Sequence, residues 1–358
     1  MSDRMKNPYV GRDKRYFWRD AVSRRTPETI SDIYRPKFSI DRQTKIATAG
    51  SCFAQHIATQ LKARQFTVID TEPPPPGLAG REAQSHGYLL YSARYANIYT
   101  VRHLLQLVRE ALGTPPEGSP IWRKGDAFFD AFRPSVEPGG LRSANEVVAH
   151  RSRHLAAVRS MIETMDVLVF TFGLTEAWIE NVSGTVYPTA PGVLAGKFDA
   201  NFFSFKNFTH AEILSDFCAL RDEIHAVNRR VRFIVTVSPV PLAATASAQH
   251  VLSATTYSKS VLRAVAGELE ARFEDVDYFP SYELIASPIA RAAYYDESLR
   301  NVRPEGVEVA MRTFFGCHDP DGSEVEAPDG VAQTGGAFAE RDDEVVCEDA
   351  ILEAFAPR

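Results

Sequence analysis

The sequence predicts an α/β fold in which a parallel sheet carries helices on both faces. Three observations lead there. Two apolar runs, DVLVFTFG (166–173) and VRFIVTVSPV (231–240), lack the polar alternation of a half-exposed strand and read as strands buried on both sides. Such runs alternate with helical stripes across residues 45–316, as in βαβ units. Finally, KIATAG (45–50) passes through Gly50 and Ser51 directly into a stripe, an opening strand–helix unit.

Residues 1–44 read as a basic arm containing aromatic residues, Pro27 and Pro36, with little periodicity. After the strand at 45–50, SCFAQHIATQLKARQ (51–65) places Phe53, Ile57 and Leu61 four apart, a helical stripe. FTVID (66–70) reads as a second strand, and TEPPPPGLAGRE (71–82) as irregular because its prolines lack donors. Residues 96–112 and 144–165 read as helices, and AFFDAFRPS (127–135) as a strand or a pair of loops. A loop-rich insertion is expected over 179–209. Thr209 with Glu212 three positions on opens a helix over 209–228 through a capping box. A helix over 251–272, a short strand and turn over 276–285, and a last helix over 304–316 opened by Pro304 complete the order. The tail, 317–358, is acidic and rich in Gly and Pro, and is expected to be partly disordered.

The 40 Lys and Arg against 46 Asp and Glu leave a net charge of −6, which argues against generic phosphate-backbone binding, so no nucleic-acid partner is expected. Residues 1–45 carry a net +6 and residues 319–358 a net −10. Both ends read as solvated arms that pack on the body or on each other. Cys52, Cys218, Cys317 and Cys347 form no C-x-x-C pair and read as reduced thiols, which points to the cytoplasm. No signal-peptide pattern opens the chain, and no run of about 18 apolar residues predicts a membrane span. The oligomeric state is left open.

Chemistry concentrates at Ala49-Gly50-Ser51-Cys52-Phe53-Ala54. In open parallel sheets the ligand crevice lies outside the carboxyl ends of the strands. A serine at such a junction meets the leading amides and dipole of a helix, which favour a developing oxyanion, and Gly50 would let a substrate approach the backbone. Ser51 is therefore a candidate nucleophile, with helix capping as its alternative role. Cys52 is the better nucleophile intrinsically, but its side chain points away from its neighbour's.

The string GSCFA, together with TFGLTEAW (171–178), VSPVPL (237–242), YSKSVLR (257–263), YFPSYE (278–283) and PEGV (304–307), resembles the GSCFA family, in the same order over about residues 45–316. That family is similar to the SGNH (GDSL-like) serine esterases. The resemblance implies a flavodoxin-like, SGNH-type three-layer domain over 45–316, with loop insertions. It implies a Ser51 nucleophile and oxyanion donors from the Ser51 backbone, from Gly173 with Thr175 in the place of a Gly-x-Asn, and from a second-block glycine, here Gly87. It also implies Asp-x-x-His before the last helix. In the register of PEGV those positions fall on Ser298 and Asn301, and an amide cannot take a proton from serine.

Another base is therefore needed. His56 lies about 140° round the helix from Ser51 at ~100° per residue. His103, His150, His154, His210 and His225 sit among charged residues in helical patterns and are expected on the surface. His86 lies in a loop beside Gly87. His250, after the strand at 231–240, ranks first by reach from a strand end, with a solvated loop histidine as the alternative. Glu176 could orient a histidine or bind a substrate hydroxyl, Ser238 ends a strand, and Ser258 with Lys259 offers a Ser-Lys arrangement. NFFSFKNF (201–208) is a candidate apolar or carbohydrate-stacking wall. No P-loop, dinucleotide fingerprint or metal-ligand spacing occurs, so neither cofactor nor metal is expected. The resulting expectation is hydrolysis of an acyl ester, of a small molecule, saccharide or envelope glycan, through a Ser51 acyl-enzyme. Two alternatives stay open: a non-catalytic carbohydrate- or ligand-binding module that lost the His-Asp pair, and an acyltransferase using a cosubstrate such as acyl-CoA.

Overall fold

The computed structural model describes residues 7–319, 352 and 354–356. Along the chain run β1 (Ile46–Gly50), α1 (Phe53–Ala63), α2 (Gly80–Ser85), α3 (Val101–Ala111), β2 (Ile121–Lys124), β3 (Ala127–Asp130) and α4 (Ala144–Thr164). Next come β4 (Val167–Phe172), β5 (Glu176–Glu180), β6 (Val186–Tyr187), β7 (Phe203–Asn207) and α5 (His210–Val227). The order ends with β8 (Arg232–Val237), α6 (Val251–Arg272), β9 (Val276–Tyr278), α7 (Ser281–Ala286) and α8 (Pro304–His318).

Four strands pair in parallel in the order β1-β4-β8-β9. Successive side chains of a strand point to opposite faces, and that alternation builds two apolar layers. Leu168, Phe170 and Phe172 join Phe233, Val235 and Val237 against Leu104, Val158, Phe217 and Leu262 of α3 to α6. Val167, Val169 and Ile234 face Ile57 of α1, Leu284 of α7 and Phe314 of α8. The three layers expected from the sequence are therefore present, and neither face of the sheet is left to water.

Several elements depart from expectation, each for a local reason. Residues 66–70 contribute a single parallel bridge, Ile46 to Val68, rather than a strand. The chain then turns into its proline run, and Thr71 N–H bonds to Ser92 O instead. The helix expected from 96 starts at Val101, because Ile98 N–H donates to Gly50 O and Thr100 takes the N-cap, accepting from His103 N–H. In place of a loop-rich insertion, β6-β5-β7 form an antiparallel sheet on which Trp178 pairs with both Tyr187 and Phe205. Residues 127–130 pair with the unforeseen β2, and α7 stands where a turn was expected.

His103 and His154 are buried rather than on the surface. His154 Nδ1 meets Glu72 Oε2 at 2.6 Å. The N-terminal arm docks from about residue 30 onward: Tyr34 and Ile40 join the second apolar layer, and the Tyr34 hydroxyl donates to Asp277 of β9 at 2.8 Å. The capping box of Thr209 and Glu212 and the position of Pro304 at the start of α8 are as read. The expected disorder of the tail over 320–351 lies outside the described residues. Among the described residues no helix is long and apolar enough to cross a membrane.

Candidate active site where the first strand ends

From β1 the chain passes to the 66–70 bridge on one side and returns to β4 on the other. In open parallel sheets such a reversal is where a ligand crevice is expected, here at the carboxyl ends of β1 and β4. Ser51 follows β1, and Gly173 follows β4.

Gly50 has φ +140° and pairs with Thr171, and a Cβ on it would lie 2.5 Å from the Thr171 carbonyl oxygen. Its missing side chain therefore makes room for β4 rather than for a substrate. Ser51 is 4% exposed, and its Oγ is sealed from solvent with no hydrogen-bond partner. It does not cap α1, whose N-cap residue is Cys52 and makes no side-chain cap bond. A buried hydroxyl left unpaired costs about 1–3 kcal/mol and calls for a reason other than packing.

The wall opposite Ser51 is the turn after β4. A Cβ on Gly173 would lie 2.9 Å from Ser51 Cβ and 3.1 Å from Tyr99 O, so the contact holds only with glycine there. Lys259 of α6, 2% exposed, donates from Nζ to Gly173 O at 2.8 Å. Its neighbour Ser258, fully buried, accepts the Thr175 N–H at 3.1 Å. Thr175 is fully buried as well, and its own Oγ1 has no partner. The serine, the Gly173–Thr175 turn and the Ser258-Lys259 pair thus meet at one place. Lys259 Nζ thus bonds the carbonyl of the very residue packed on the serine.

Residues 91–99 close over the junction. The Tyr91 hydroxyl lies 3.2 Å from Ser51 O and also hydrogen-bonds Asn97 Oδ1. Gln55 Nε2 donates to Tyr91 Oη at 3.2 Å and to Asn97 Oδ1 at 3.3 Å. Ala96 holds a left-handed φ of +59°, strained for a residue with a Cβ, directly before Asn97. Gln55, Tyr91 and Asn97 are site residues that the sequence reading missed. The signal available was polar residues inside the buried string YSARYAN, visible only once that string is known to cross the end of β1.

Other candidates sit elsewhere. His250 is exposed and caps α6, its Nδ1 accepting the Leu252 N–H at 3.2 Å, and it makes no hydrogen bond to Ser51. Reach from a strand end took it to a helix terminus instead. Asn301 is exposed in a turn, donating to Asp296 Oδ2 at 2.9 Å, while the Ser298 hydroxyl bonds the same carboxylate. The Gly87 N–H donates to Gln84 O at 2.8 Å, and a Cβ there would meet Val136 at 2.9 Å, so this glycine serves packing. The Gly173 N–H is likewise engaged, by Tyr99 O at 3.2 Å, and the Ser51 N–H reaches Thr171 O at 3.4 Å. None of these three amides is idle as an oxyanion donor. Cys52 is buried in the same junction. Ser238 accepts the Val240 N–H in a turn. Glu176 accepts a 2.6 Å bond from Thr245 and lines a cleft with Leu174 and Trp178. Burial raises its pKa, against the Thr245 and Ala246 hydrogen bonds that lower it.

No curated protein matches the chain. A model of the GSCFA family matches residues 45–314, which takes in β1, the Ser51 junction, the Gly173 turn, Lys259 and most of α8. With most of its length inside that match, the chain belongs to the GSCFA family.

Proposed function

We propose that the chain is a serine acyl hydrolase in which Ser51 is the nucleophile and Lys259, not His250, is the proton partner. The observation that carries this reading is the unpaired, buried Ser51 Oγ, packed on Gly173 whose carbonyl accepts from Lys259 Nζ. Ser51 Oγ attacks the ester carbonyl carbon, and its proton passes to Lys259 in its amine form. The leaving alkoxide takes that proton, and water then releases the acyl group from Ser51 by the same route. The positive end of the α1 dipole lies at the serine and favours an oxyanion there, while the Ala54 and Gln55 amides already bond Ser51 O and Cys52 O. The resemblance to SGNH esterases supports the nucleophile, while the Ser298/Asn301 turn is why the base is sought elsewhere.

The seal over Ser51 favours a second reading, a binding module that kept the crevice without the chemistry. A fluorophosphonate probe separates them. In the first reading the probe labels the chain, Ser51→Ala abolishes labelling, and Lys259→Met slows it by about 10²–10⁴-fold, the usual worth of a general base. Labelling that survives Ser51→Ala overturns the nucleophile. Wild-type labelling rates in a folded Lys259→Met chain overturn the base. No labelling at all favours the binding module.

A further inference from the structure

Beyond the carboxyl ends of β4 and β8 lies a cleft of about 640 Å³, within the roughly 300–1,000 Å³ usual for small-molecule sites. Its wall starts at Leu174, the residue after Gly173, so it adjoins the serine's neighbour along the chain. Trp178, Phe198 and Phe205 form one side, with Trp178 edge-on to both phenylalanines at 5.3 and 6.0 Å between ring centres. Leu242, in the loop after β8, and Leu352 and Phe355 near the C-terminus also line it. Polar side chains are few. Glu176 and Thr245 bond each other. Thr189, 9% exposed, lines the cleft, with its unpartnered Oγ1 sealed from solvent.

We propose that this cleft binds the acyl portion of the substrate, an aliphatic or aromatic chain laid against Trp178, Phe198 and Phe205. The inference rests on the acyl-hydrolase reading and narrows it. Apolar walls gain free energy in proportion to the chain surface they take from water. A saccharide would instead bring a ring of hydroxyls to a cleft where, among the described residues, the lining side-chain hydroxyls are those of Thr189, sealed from solvent, and Thr245, already bonded to Glu176. The acylated partner is thus recognised through its acyl chain, and any glycan it carries lies outside the cleft.

The test is calorimetric titration of the full chain with N-methyloctanamide, a neutral amide that the serine does not turn over readily, beside methyl β-cellobioside. Octanamide binding is expected, with no heat from the cellobioside. It should weaken at least tenfold in Ala243→Trp, which fills the cleft from a half-buried loop position, and persist unchanged in Ser51→Ala. Octanamide should also shield Trp178 from acrylamide, a difference lost in Trp178→Phe, so the test does not depend on the filled variant folding. Cellobioside binding in place of octanamide, octanamide binding that ignores Ala243→Trp and leaves Trp178 unshielded, or no binding of either overturns the cleft assignment. Octanamide binding in a chain that no fluorophosphonate labels keeps the cleft and removes the serine reading. Labelling without octanamide binding does the reverse.

Discussion

At the scale of single residues, the site is held together by the absence of side chains. Gly50 lies where a Cβ would strike the Thr171 backbone, and its φ of +140° lies where L residues rarely go. Both penalties act together in Gly50→Ala, which should lower stability by about 3 kcal/mol. The strand end would shift and carry Ser51 with it, so labelling should fall even in the fraction that folds. Urea denaturation read beside the labelling rate checks this, and a variant as stable as wild type would show that β1 and β4 are not so close. The short motif made Gly50 and Ser51 legible from sequence, but for the wrong reason in the glycine's case. What a missing Cβ leaves room for depends on the partner strand, and Thr171 is more than a hundred positions away.

At the scale of elements, α6 carries one misread residue and one underrated one. His250 at its N-cap accepts the Leu252 N–H and stands about two and a half turns before Lys259 at 3.6 residues per turn, on the solvent side. His250→Ala should therefore cost only about 0.5–1 kcal/mol, the loss of an exposed cap, and leave fluorophosphonate labelling unchanged. His250→Asn, a better capping residue, should recover the stability. A large loss of labelling in the alanine variant would return His250 to the site. The helices and buried strands were readable because their apolar spacing is a local property: α6 runs over the residues its pattern marks, and β4 and β8 lie inside their apolar runs. The β5 to β7 sheet was not readable. Its strands are short, β6 has two residues, and partly exposed aromatic strands show neither clean alternation nor a continuous run. The contacts that build the site were hidden for another reason: Lys259 to Gly173 spans 86 positions, and nothing in YSKS shows which turn the lysine will meet.

At the scale of the whole molecule, a buried ionic network ties the Ser51 cover to the body. Arg151 of α4 bonds Asp130 of β3 at 3.0 Å and Glu110 of α3 at 2.7 Å. Arg133 bonds Asp130 at 2.8 Å and also Arg94 O at 2.9 Å, within the segment that leads to Asn97. Glu72 accepts from the Arg94 N–H at 2.9 Å and from His154 Nδ1. His103 and His154 were read as exposed because their sequence neighbours are charged, yet the helix face each occupies is the inner one, and beside His154 that face carries the buried Arg151 as well. Burial, with nearby Arg133 and Arg151, lowers the pKa of His154 to about 4, and burial with Arg151 does the same for His103. Against the cost of burial, Arg151 and Arg133 hold Asp130 at about 2, and His154 with Arg133 holds Glu72 at about 2.

These directions fix how stability depends on pH. A histidine whose pKa falls on folding contributes fully above its unfolded value of about 6.5, and that contribution is lost as pH drops through about 4. A carboxylate whose pKa falls contributes fully above about 4, and loses it as pH approaches 2. Stability should therefore decline in two stages on acidification, first between pH 6.5 and 4 from the histidines, then below 4 from Asp130 and Glu72. His154→Gln keeps a donor for Glu72 but cannot be protonated, so it should flatten the first stage by about 2–3 kcal/mol while leaving the second in place. Urea midpoints measured from pH 8 to 3 for both proteins test this. Parallel curves through the first stage would mean that His154 charges freely in the folded chain, and that the network tolerates a further cation beside Arg133 and Arg151.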